Sequence, residues 1–174
     1  MLKMLEPGAS GSAWYAFRTR PRREKKAASQ FSDMGLAYFL PLRKKVSSRE
    51  GRRPYSSEMP LFPGYVFGRC DVGERLRAMS GGHLSQWVEA ADQKTLLTEL
   101  RTICLASMCG TDIELFPQLR RGARARVTSG SLSGVEGTIS CRKGNFRIIL
   151  DLTLLQSAVA VEVDMQDVQV TETT

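Results

Sequence analysis

The side chains that could do chemistry in this sequence are few, and their spacing argues against a metal or catalytic site. Cys104 and Cys109 are separated by four residues, and His83 is the only imidazole. Because Cys104 falls on the apolar stripe of a predicted helix, we interpret both thiols as buried and inert rather than as metal ligands. Glu136 and Asp164 could approach each other on neighbouring strands, but carboxylates on such strands are usually solvated. No metal ion and no other cofactor is expected.

Motifs of the common enzyme classes are absent from the sequence. It contains no GxxxxGK[ST] phosphate loop, no GxSxG nucleophile elbow, no HExxH zinc motif and no CxxC pair. Nothing in it pairs a nucleophile with a base. We therefore interpret the chain as a binding protein and not as an enzyme.

Residues 61–67 place three aromatic side chains and a Pro-Gly bend on one predicted strand. Strand alternation directs Tyr65 and Phe67 to one face and Val66 to the other. In one interpretation both faces are buried under helices. In the other, Tyr65 and Phe67 form part of an exposed apolar patch for a protein partner, because aromatic residues dominate interface hot spots. Taken alone, the segment favours neither.

The positive charge is concentrated in the first third of the chain. Residues 1–57 carry 13 basic and 4 acidic side chains, and the whole chain has a net charge of +7. Clustered cations attract phosphate, but most charge runs are solvated helix faces or hairpin tips, and charge alone gives both interpretations similar weight. The two clusters are Arg18, Arg20, Arg22, Arg23, Lys25 and Lys26, and then Arg43, Lys44, Lys45, Arg49, Arg52 and Arg53.

Composition indicates a soluble, globular chain, with 42% apolar and 25% charged residues. No apolar run approaches the roughly 18 residues that cross a bilayer. The amino terminus lacks the apolar core of a signal peptide, and the 4 cysteines are not spaced like a disulfide framework. We expect a cytoplasmic protein without a membrane partner.

Periodicity predicts an α+β domain with the order βαββαβα, built on a four-stranded, mainly antiparallel sheet. Residues 1–12 are predicted to be disordered and residues 47–59 to form a long hairpin tip. One helix is predicted to open at Pro21 and end at Gly35, and a second begins with a capping box of Asp71 and Glu74. Strands are predicted at residues 14–19, 36–46, 61–70 and 84–90, and the two later helices at 71–81 and 92–108.

The periodicity changes after Gly110. Residues 110–120 resemble a linker, and the stretches that follow alternate with period two, at 124–128, 135–140, 146–151, 159–164 and 168–170. About five short strands separated by glycine turns predict a small, closed, SH3-like β-barrel. The predicted organisation is a disordered N-terminus at 1–12, a first domain at 13–109, a linker at 110–120 and a barrel at 121–174.

Several segments together resemble the NusG-type transcription elongation factors. The second domain resembles a KOW module, and the likeness covers about residues 13–172. In the first domain it rests on Trp14-Tyr15-Ala16-Phe17-Arg18-Thr19-Arg20-Pro21 with Glu24, Phe39-Leu40-Pro41, Leu61-Phe62-Pro63-Gly64-Tyr65-Val66-Phe67 and Trp87-Val88. In the second it rests on Gly122, Arg124, Arg126, Val127, Gly130, Leu132, Gly134, Glu136, Gly137 and the valine-rich residues 159–163.

The resemblance implies that the chain acts on bacterial RNA polymerase. In this family the N-terminal domain docks on the coiled-coil clamp helices of the largest subunit and reaches across the cleft to the second large subunit, which favours elongation and opposes pausing. By position, the clamp contacts would come from Arg18, Phe62, Tyr65, Phe67 and Trp87. The contact across the cleft would come from Glu74, Arg75, Leu76 and Arg77.

The resemblance also implies a second partner, bound by the KOW domain. The family's barrel loop, here Ser131, Leu132 and Ser133 with Leu132 as its apolar tip, contacts a small-subunit ribosomal protein or the Rho termination factor. The choice of partner separates an elongation or antitermination factor from a Rho-linked termination factor, and the sequence leaves both open. A third alternative is a KOW-containing RNA-binding or ribosome-associated protein, which would leave the N-terminal motifs without a specific role.

Two departures from the family pattern favour a specialised, operon-specific antiterminator over the general factor. The strand at 84–90 is not followed by the common Gly-Gly-x-Pro segment, and the first third of the chain is unusually basic. Arg20, Arg22, Arg23 and Lys26 would then contact exposed non-template DNA. Phosphate contacts of this kind supply affinity and salt dependence rather than sequence choice.

Some members of the family refold the KOW domain into a helical hairpin. Here Val159, Val161 and Val163 favour a strand, so we expect a stable barrel. We also expect the protein to be a monomer.

Overall fold

The computed structural model of the 174-residue chain describes residues 5–7, 11–47, 55–108, 113–116, 123–142 and 145–172. The chain divides into two compact units. The N-terminal unit is Pro7–Glu89, and the C-terminal unit is Ala90–Thr174 together with Met1–Glu6. The predicted helix at 92–108 therefore belongs to the C-terminal unit, whereas the sequence predicts a domain boundary at residues 110–120.

The N-terminal unit is built on antiparallel strands. Its elements are β1 (Ala13–Thr19), α1 (Glu24–Asp33), β2 (Ala37–Phe39), β3 (Leu42–Ser47), β4 (Tyr55–Pro60), β5 (Tyr65–Cys70), α2 (Val72–Ser80) and β6 (Leu84–Glu89). Four strands form a sheet with the order β2-β5-β1-β6, and β3 and β4 form a separate two-stranded sheet. The predicted four-stranded antiparallel sheet with helices is confirmed.

The helices α1 and α2 pack on one face of the four-stranded sheet. Tyr15, Phe17 and Val66 of the sheet form one buried cluster with Phe31 of α1 and Ala78 of α2. The rings of Phe17 and Phe31 are tilted, with centroids 5.1 Å apart. Burial of these apolar side chains, at about 25 cal/mol per Å² of apolar surface, stabilises the layer.

The start of α1 differs from the prediction, because the helix begins at Glu24 and not at Pro21. The N–H of Arg23 donates to the carbonyl of Arg20 at 3.1 Å and closes a turn. Arg22 within that turn has a left-handed backbone with a φ of 58°. A left-handed residue cannot continue into a right-handed helix, so the helix starts after the turn.

The predicted strand at 36–46 is divided into β2 and β3, which belong to different sheets. Pro41 lies at the division and has no N–H for a strand ladder, while its carbonyl accepts the N–H of Leu61 at 2.8 Å. The strand β4 pairs with β3 and occupies part of the predicted hairpin tip. The sequence did not predict β4, because its residues are mostly polar and do not show the pairing. Residues 48–54 of that tip lie outside the described residues.

The C-terminal unit combines one helix with a six-stranded antiparallel sheet. Its elements are α3 (Gln93–Met108), β7 (Ile113–Phe116), β8 (Arg124–Val127), β9 (Glu136–Arg142), β10 (Asn145–Leu152), β11 (Ser157–Glu162) and β12 (Val168–Glu172). The strand order is β12-β8-β9-β10-β11-β7. The five predicted strands are present as β8 to β12, and closure into a KOW barrel stays a prediction.

The predicted linker contains a strand that the sequence did not reveal. β7 pairs with β11, with Leu115 opposite Val159, so part of residues 110–120 is a sheet edge and not a free connection. A four-residue strand gains its stability from the pairing partner and not from its own pattern. Leu5, in the segment predicted to be disordered, is buried, and its carbonyl accepts a hydrogen bond from Nε of Arg101 at 2.8 Å.

The helix α3 carries the predicted apolar stripe. Asp92 precedes it and caps its first turn, because the carboxylate accepts the N–H of Lys94 at 2.8 Å and the hydroxyl of Thr95 at 2.7 Å. None of the helices in the described part of the chain is long and apolar enough to span a membrane. The buried residues of α3 are Leu96, Leu97, Leu100, Ile103, Cys104 and Ala106.

Candidate functional site

The turn at residues 61–64 presents Tyr65 at the start of β5. Gly64 has a φ of 85°, a left-handed conformation that favours glycine. Its N–H donates to Oε1 of Glu24 at 2.8 Å, and its carbonyl accepts the N–H of Thr19 at 2.8 Å. These bonds fasten the turn to the end of β1 and to the first turn of α1, which fixes the point at which Tyr65 enters the sheet.

Arg18, Tyr65 and Gln86 form a row across three strands, which we call the Arg18 row. Arg18 pairs with Tyr65 on β5 and with Gln86 on β6, and directly opposed residues of antiparallel strands project to the same face. Arg18 and Gln86 are exposed, and Tyr65 is half-buried. The row therefore offers a cation, a phenol and an amide to a partner.

Phe62 and Phe67 are core residues and not part of this surface. Their exposed fractions are 3% and 0%. Their rings meet edge to face with centroids 6.1 Å apart, and the Phe67 ring also lies 6.4 Å from that of Phe39. A side chain without exposed surface offers no contact, so burial argues against the predicted role of Phe62 and Phe67 as direct contacts.

Trp87 lies on the opposite face of the sheet from the Arg18 row. It pairs with Phe17, one position before Arg18 on β1, so alternation directs its indole to the face covered by α1 and α2. The guanidinium carbon of Arg75 lies 4.8 Å from the centroid of the Trp87 ring. The structure thus groups Trp87 with α2, whereas the sequence grouped it with Arg18 and Tyr65.

The four α2 residues predicted to contact a second subunit differ in their availability. Glu74 is engaged in the capping box, where it accepts the N–H of Asp71 at 2.9 Å and donates its own N–H to the Asp71 carboxylate at 2.7 Å. Arg75 is occupied by its ring contacts. Leu76 is 59% exposed, and Arg77 is also exposed. Leu76 and Arg77 are therefore the members of this set that a partner can reach.

The turn between β1 and α1, together with the first turn of α1, carries the basic residues proposed for nucleic acid. Arg20, Arg22, Arg23 and Lys26 are all exposed, and we call them the basic rim. The N–H of Arg20 donates to the carbonyl of His83 at 2.9 Å, which anchors the turn. The second basic cluster lies on β3 and in the residues after it, of which 48–54 are outside the described part of the chain.

The turn between β8 and β9 carries the residues predicted to contact a KOW partner. Ser131 and Ser133 are exposed, but Leu132 is only 6% exposed. The carbonyl of Leu132 accepts the N–H of Val135 at 3.0 Å. Leu132 is therefore not the exposed apolar tip that was predicted, and the reachable surface of the turn is polar.

An acidic cleft of about 190 Å³ borders this turn. Its lining includes the acidic residues Glu162, Asp164 and Asp167, and the carboxylate of Glu162 is paired with the guanidinium of Arg147 at 2.9 Å. Hydrogen bonds hold both the main chain and the side chain of Asp167. Its carbonyl accepts the N–H of Thr128 at 2.7 Å, and its carboxylate accepts the Ser129 hydroxyl. Sequence reasoning missed this grouping, because it depends on how separate strands lie together in the fold.

A second cleft, of about 290 Å³, lies between α3 and the sheet of the C-terminal unit. Glu99 on its wall accepts the N–H of Thr153 at 3.1 Å and the Thr153 hydroxyl at 2.5 Å. Burial raises the pKa of the Glu99 carboxyl, and the neighbouring Asp151 raises it further, while the hydrogen bonds from Thr153 act in the opposite direction. Burial also raises the pKa of Asp151, against the effect of Arg124.

The structure describes the side chains of two of the 4 cysteines, Cys70 and Cys104. Cys70 and Cys104 are buried and free, which confirms the interpretation of Cys104 as a buried thiol. Burial raises the pKa of Cys70 to about 12 and raises that of Cys104 as well, so both stay protonated and unreactive near neutral pH. Cys109 lies outside the described residues, among which no group of three or more side chains could hold a metal ion.

Residues 12–98, half of the chain, match the family model described as transcription termination factor NusG. The chain belongs to the NusG family. A comparison with curated proteins gives no match. A solved structure entitled "Crystal Structure of MjSpt4:Spt5 complex conformation B" is similar at 14% sequence identity and a TM-score of 0.30, over 91% of this chain and 97% of that chain. A TM-score this low adds no support for a fold or a function.

The NusG match runs from the residue before β1 into α3. It includes the Arg18 row, the basic rim, α2 and Trp87, and it ends before the turn at residues 131–133. Membership of the NusG family makes the chain a transcription factor of the elongation-factor kind. The individual contact residues stay predictions.

Proposed function

We propose that this NusG-family chain is an elongation or antitermination factor that docks on the clamp helices of the largest subunit of bacterial RNA polymerase. The Arg18 row is the docking surface. The observation that carries this proposal is the row itself: exposed Arg18 lies between half-buried Tyr65 on β5 and exposed Gln86 on β6, all within the segment that matches the family. Tyrosine and arginine are the residue types that most often dominate interface energies.

The second contact, across the cleft, is made from α2. Leu76, Arg77 and the indole of Trp87 supply its reachable surface, and they lie on the other face of the sheet from the Arg18 row. Two surfaces on opposite faces of one rigid sheet suit a factor that bridges two polymerase subunits. Such a factor shortens pauses only if it binds the closed clamp more tightly than the open one.

The basic rim gives the factor an accessory contact with DNA. It follows β1 directly after Arg18, so a clamp-bound factor would present both features together. Its arginines are exposed, and exposed cations can neutralise phosphates. This feature favours a specialised antiterminator over the general factor.

A Rho-linked termination factor is the second candidate. The description of the matching family model itself names termination, and the acidic cleft beside Ser129 and Ser131 suits a partner with cationic side chains. In this candidate the N-terminal contacts with polymerase are the same, and the KOW partner differs.

The experiment is a pause-escape assay with purified core RNA polymerase, in which wild type is compared with Tyr65→Ala and with the control Ser29→Ala on the exposed side of α1. We expect wild type and Ser29→Ala to shorten pause lifetimes and to co-elute with polymerase, and Tyr65→Ala to do neither. Unchanged pause lifetimes together with no co-elution of wild type would exclude both candidates and leave a KOW-containing RNA-binding protein.

A terminator read-through assay with Rho separates the two candidates. An antitermination factor raises the fraction of full-length transcript, and a Rho-linked factor lowers it. The control in both cases is Tyr65→Ala, which should move the fraction towards that without any factor.

A further inference from the structure

The guanidinium of Arg75 lies between two aromatic rings. Its central carbon is 4.8 Å from the centroid of Tyr15 and 4.8 Å from that of Trp87. Tyr15 pairs with Glu89 and Phe17 with Trp87 in the β1–β6 register, so the two rings are diagonal neighbours on one face of the sheet. The cation fills the space between them, and each contact is within the distance of a cation–π interaction.

Arg75 is committed to this position by its surroundings. It is half-buried, and its Nε atom is buried with no hydrogen-bond partner among the described residues. A guanidinium that is already in contact with two rings is less available to a partner than an exposed one. Arg77, two residues further along α2, is exposed and provides a free cation nearby.

We propose that Arg75 is a positioning residue, which holds the Trp87 indole in the orientation that contacts RNA polymerase. Trp87 is 38% exposed, and Val72 and Leu76 on α2 are each 59% exposed. The partner contacts these apolar groups, while Arg75 acts only through Trp87. This inference rests on the proposed function, and it replaces the direct contact across the cleft that the family resemblance implied for Arg75.

The competing arrangement is a direct ion pair between Arg75 and a carboxylate of the polymerase. It requires the guanidinium to leave the two rings on binding. The two arrangements differ in a measurable way, because only the positioning role makes the effect of Arg75 depend on the presence of Trp87.

The first measurement is acrylamide quenching of tryptophan fluorescence in the free, full-length protein. The chain has 2 tryptophans, and Trp14 is 0% exposed, so quenching reports mainly on Trp87. We expect Arg75→Met to increase the quenching constant, because one face of the indole becomes accessible, and Arg75→Lys to restore it in part. Arg77→Met is the matched control and should not change it. Unchanged quenching in Arg75→Met would overturn the inference.

The second measurement is the affinity for core RNA polymerase in a double-mutant cycle. Loss of one cation–π contact predicts about three- to tenfold weaker binding for Arg75→Met. In a Trp87→Ala background the same substitution should have no further effect. Equal losses in both backgrounds would assign Arg75 to a direct contact instead. If wild type does not bind polymerase at all, the proposed function fails, and the quenching result still decides whether Arg75 positions Trp87.

Discussion

Tyr65 lies directly opposite Arg18 in the pairing of β5 with β1. The next residue of β5, Val66, lies opposite Phe17 and belongs to the core beneath the helices. One step along the strand therefore separates a partner-facing surface from the interior. Phe67, two residues after Tyr65, shares the face of Tyr65 but is fully buried, so only Tyr65 of this pair is available to bind.

The first prediction contrasts Phe67→Ala with Tyr65→Ala. Phe67 is fully buried, so its truncation should lower the free energy of unfolding by about 3–5 kcal/mol. Tyr65→Ala should cost much less stability but weaken polymerase binding by about 2 kcal/mol or more, as a central interface tyrosine does. Urea denaturation and binding titrations measure the two quantities. If Phe67→Ala keeps wild-type stability but loses polymerase binding, Phe67 is a direct contact and the prediction is wrong.

The sequence predicted well what local patterns determine. The capping box of Asp71 and Glu74 and the apolar stripe of α3 depend on spacing within one helix, and both are present as expected. Alternation also placed Tyr65 and Phe67 on one face. Whether a residue on that face is buried depends on which distant parts of the chain pack over it. The burial of Phe67 therefore could not be predicted.

Strand register explains why Trp87 and Arg18, which were predicted to share one binding surface, lie on different faces of the sheet. Trp87 was grouped with Arg18 because both lie in family motifs, but the β1–β6 pairing places Trp87 opposite Phe17. A shift of one residue reverses the face, and no single strand contains that information. The strand β7 was missed for a related reason, since its pairing with β11 is a long-range contact.

The second prediction concerns Glu24, whose carboxylate holds the turn at residues 61–64 through the N–H of Gly64 at 2.8 Å. Glu24→Ala should lower the free energy of unfolding by about 1–2 kcal/mol, because a hydrogen bond to a charged acceptor is lost. Glu24→Gln keeps an acceptor oxygen and should lose less. Urea denaturation of the three proteins tests the ranking, and equal stabilities would show that the turn is held by the Thr19 bond alone.

The third prediction concerns the basic rim. The double variant Arg20→Glu and Arg23→Glu should weaken recruitment to a polymerase complex with exposed non-template DNA. It should also reduce the steepness of the logarithmic salt dependence, by roughly 0.7–0.9 for each phosphate contact removed. Lys94→Glu, a charge reversal at an exposed lysine of α3, is the control. If the double variant shows the same recruitment and the same salt dependence as wild type, the basic rim does not contact DNA.

The fourth prediction concerns Gly137 in β9. A Cβ atom there would lie 2.3 Å from the carbonyl oxygen of Ile149 and 2.9 Å from Cγ1 of Ile148. Gly137→Ala must therefore displace backbone and should cost about 1–3 kcal/mol of stability. Gly73→Ala in α2 meets nothing closer than 3.4 Å and should be neutral or stabilising, because alanine favours a helix. Thermal denaturation compares them, and a Gly137→Ala protein as stable as wild type would contradict the close approach.

The last prediction is a dependence of stability on pH through Glu99. Burial raises the pKa of this carboxyl above its ordinary value of 4.5, so the folded state binds the proton more tightly than the unfolded state does. The contribution of Glu99 to stability is therefore least favourable above the folded pKa, and it improves as the pH falls towards 4.5. Glu99→Gln removes the buried charge and leaves an oxygen to accept the N–H of Thr153.

We expect Glu99→Gln to be stabilised relative to wild type at pH 7, and the difference to shrink as the pH is lowered. Urea denaturation of the full-length chain at several pH values between about 4 and 8 measures this difference, with Asp33→Asn on α1 as the exposed control. If the stability of Glu99→Gln relative to wild type instead increases as the pH falls, the hydrogen bonds from Thr153 outweigh the cost of burial. The charged form of Glu99 would then stabilise the contact between α3 and the residues after β10.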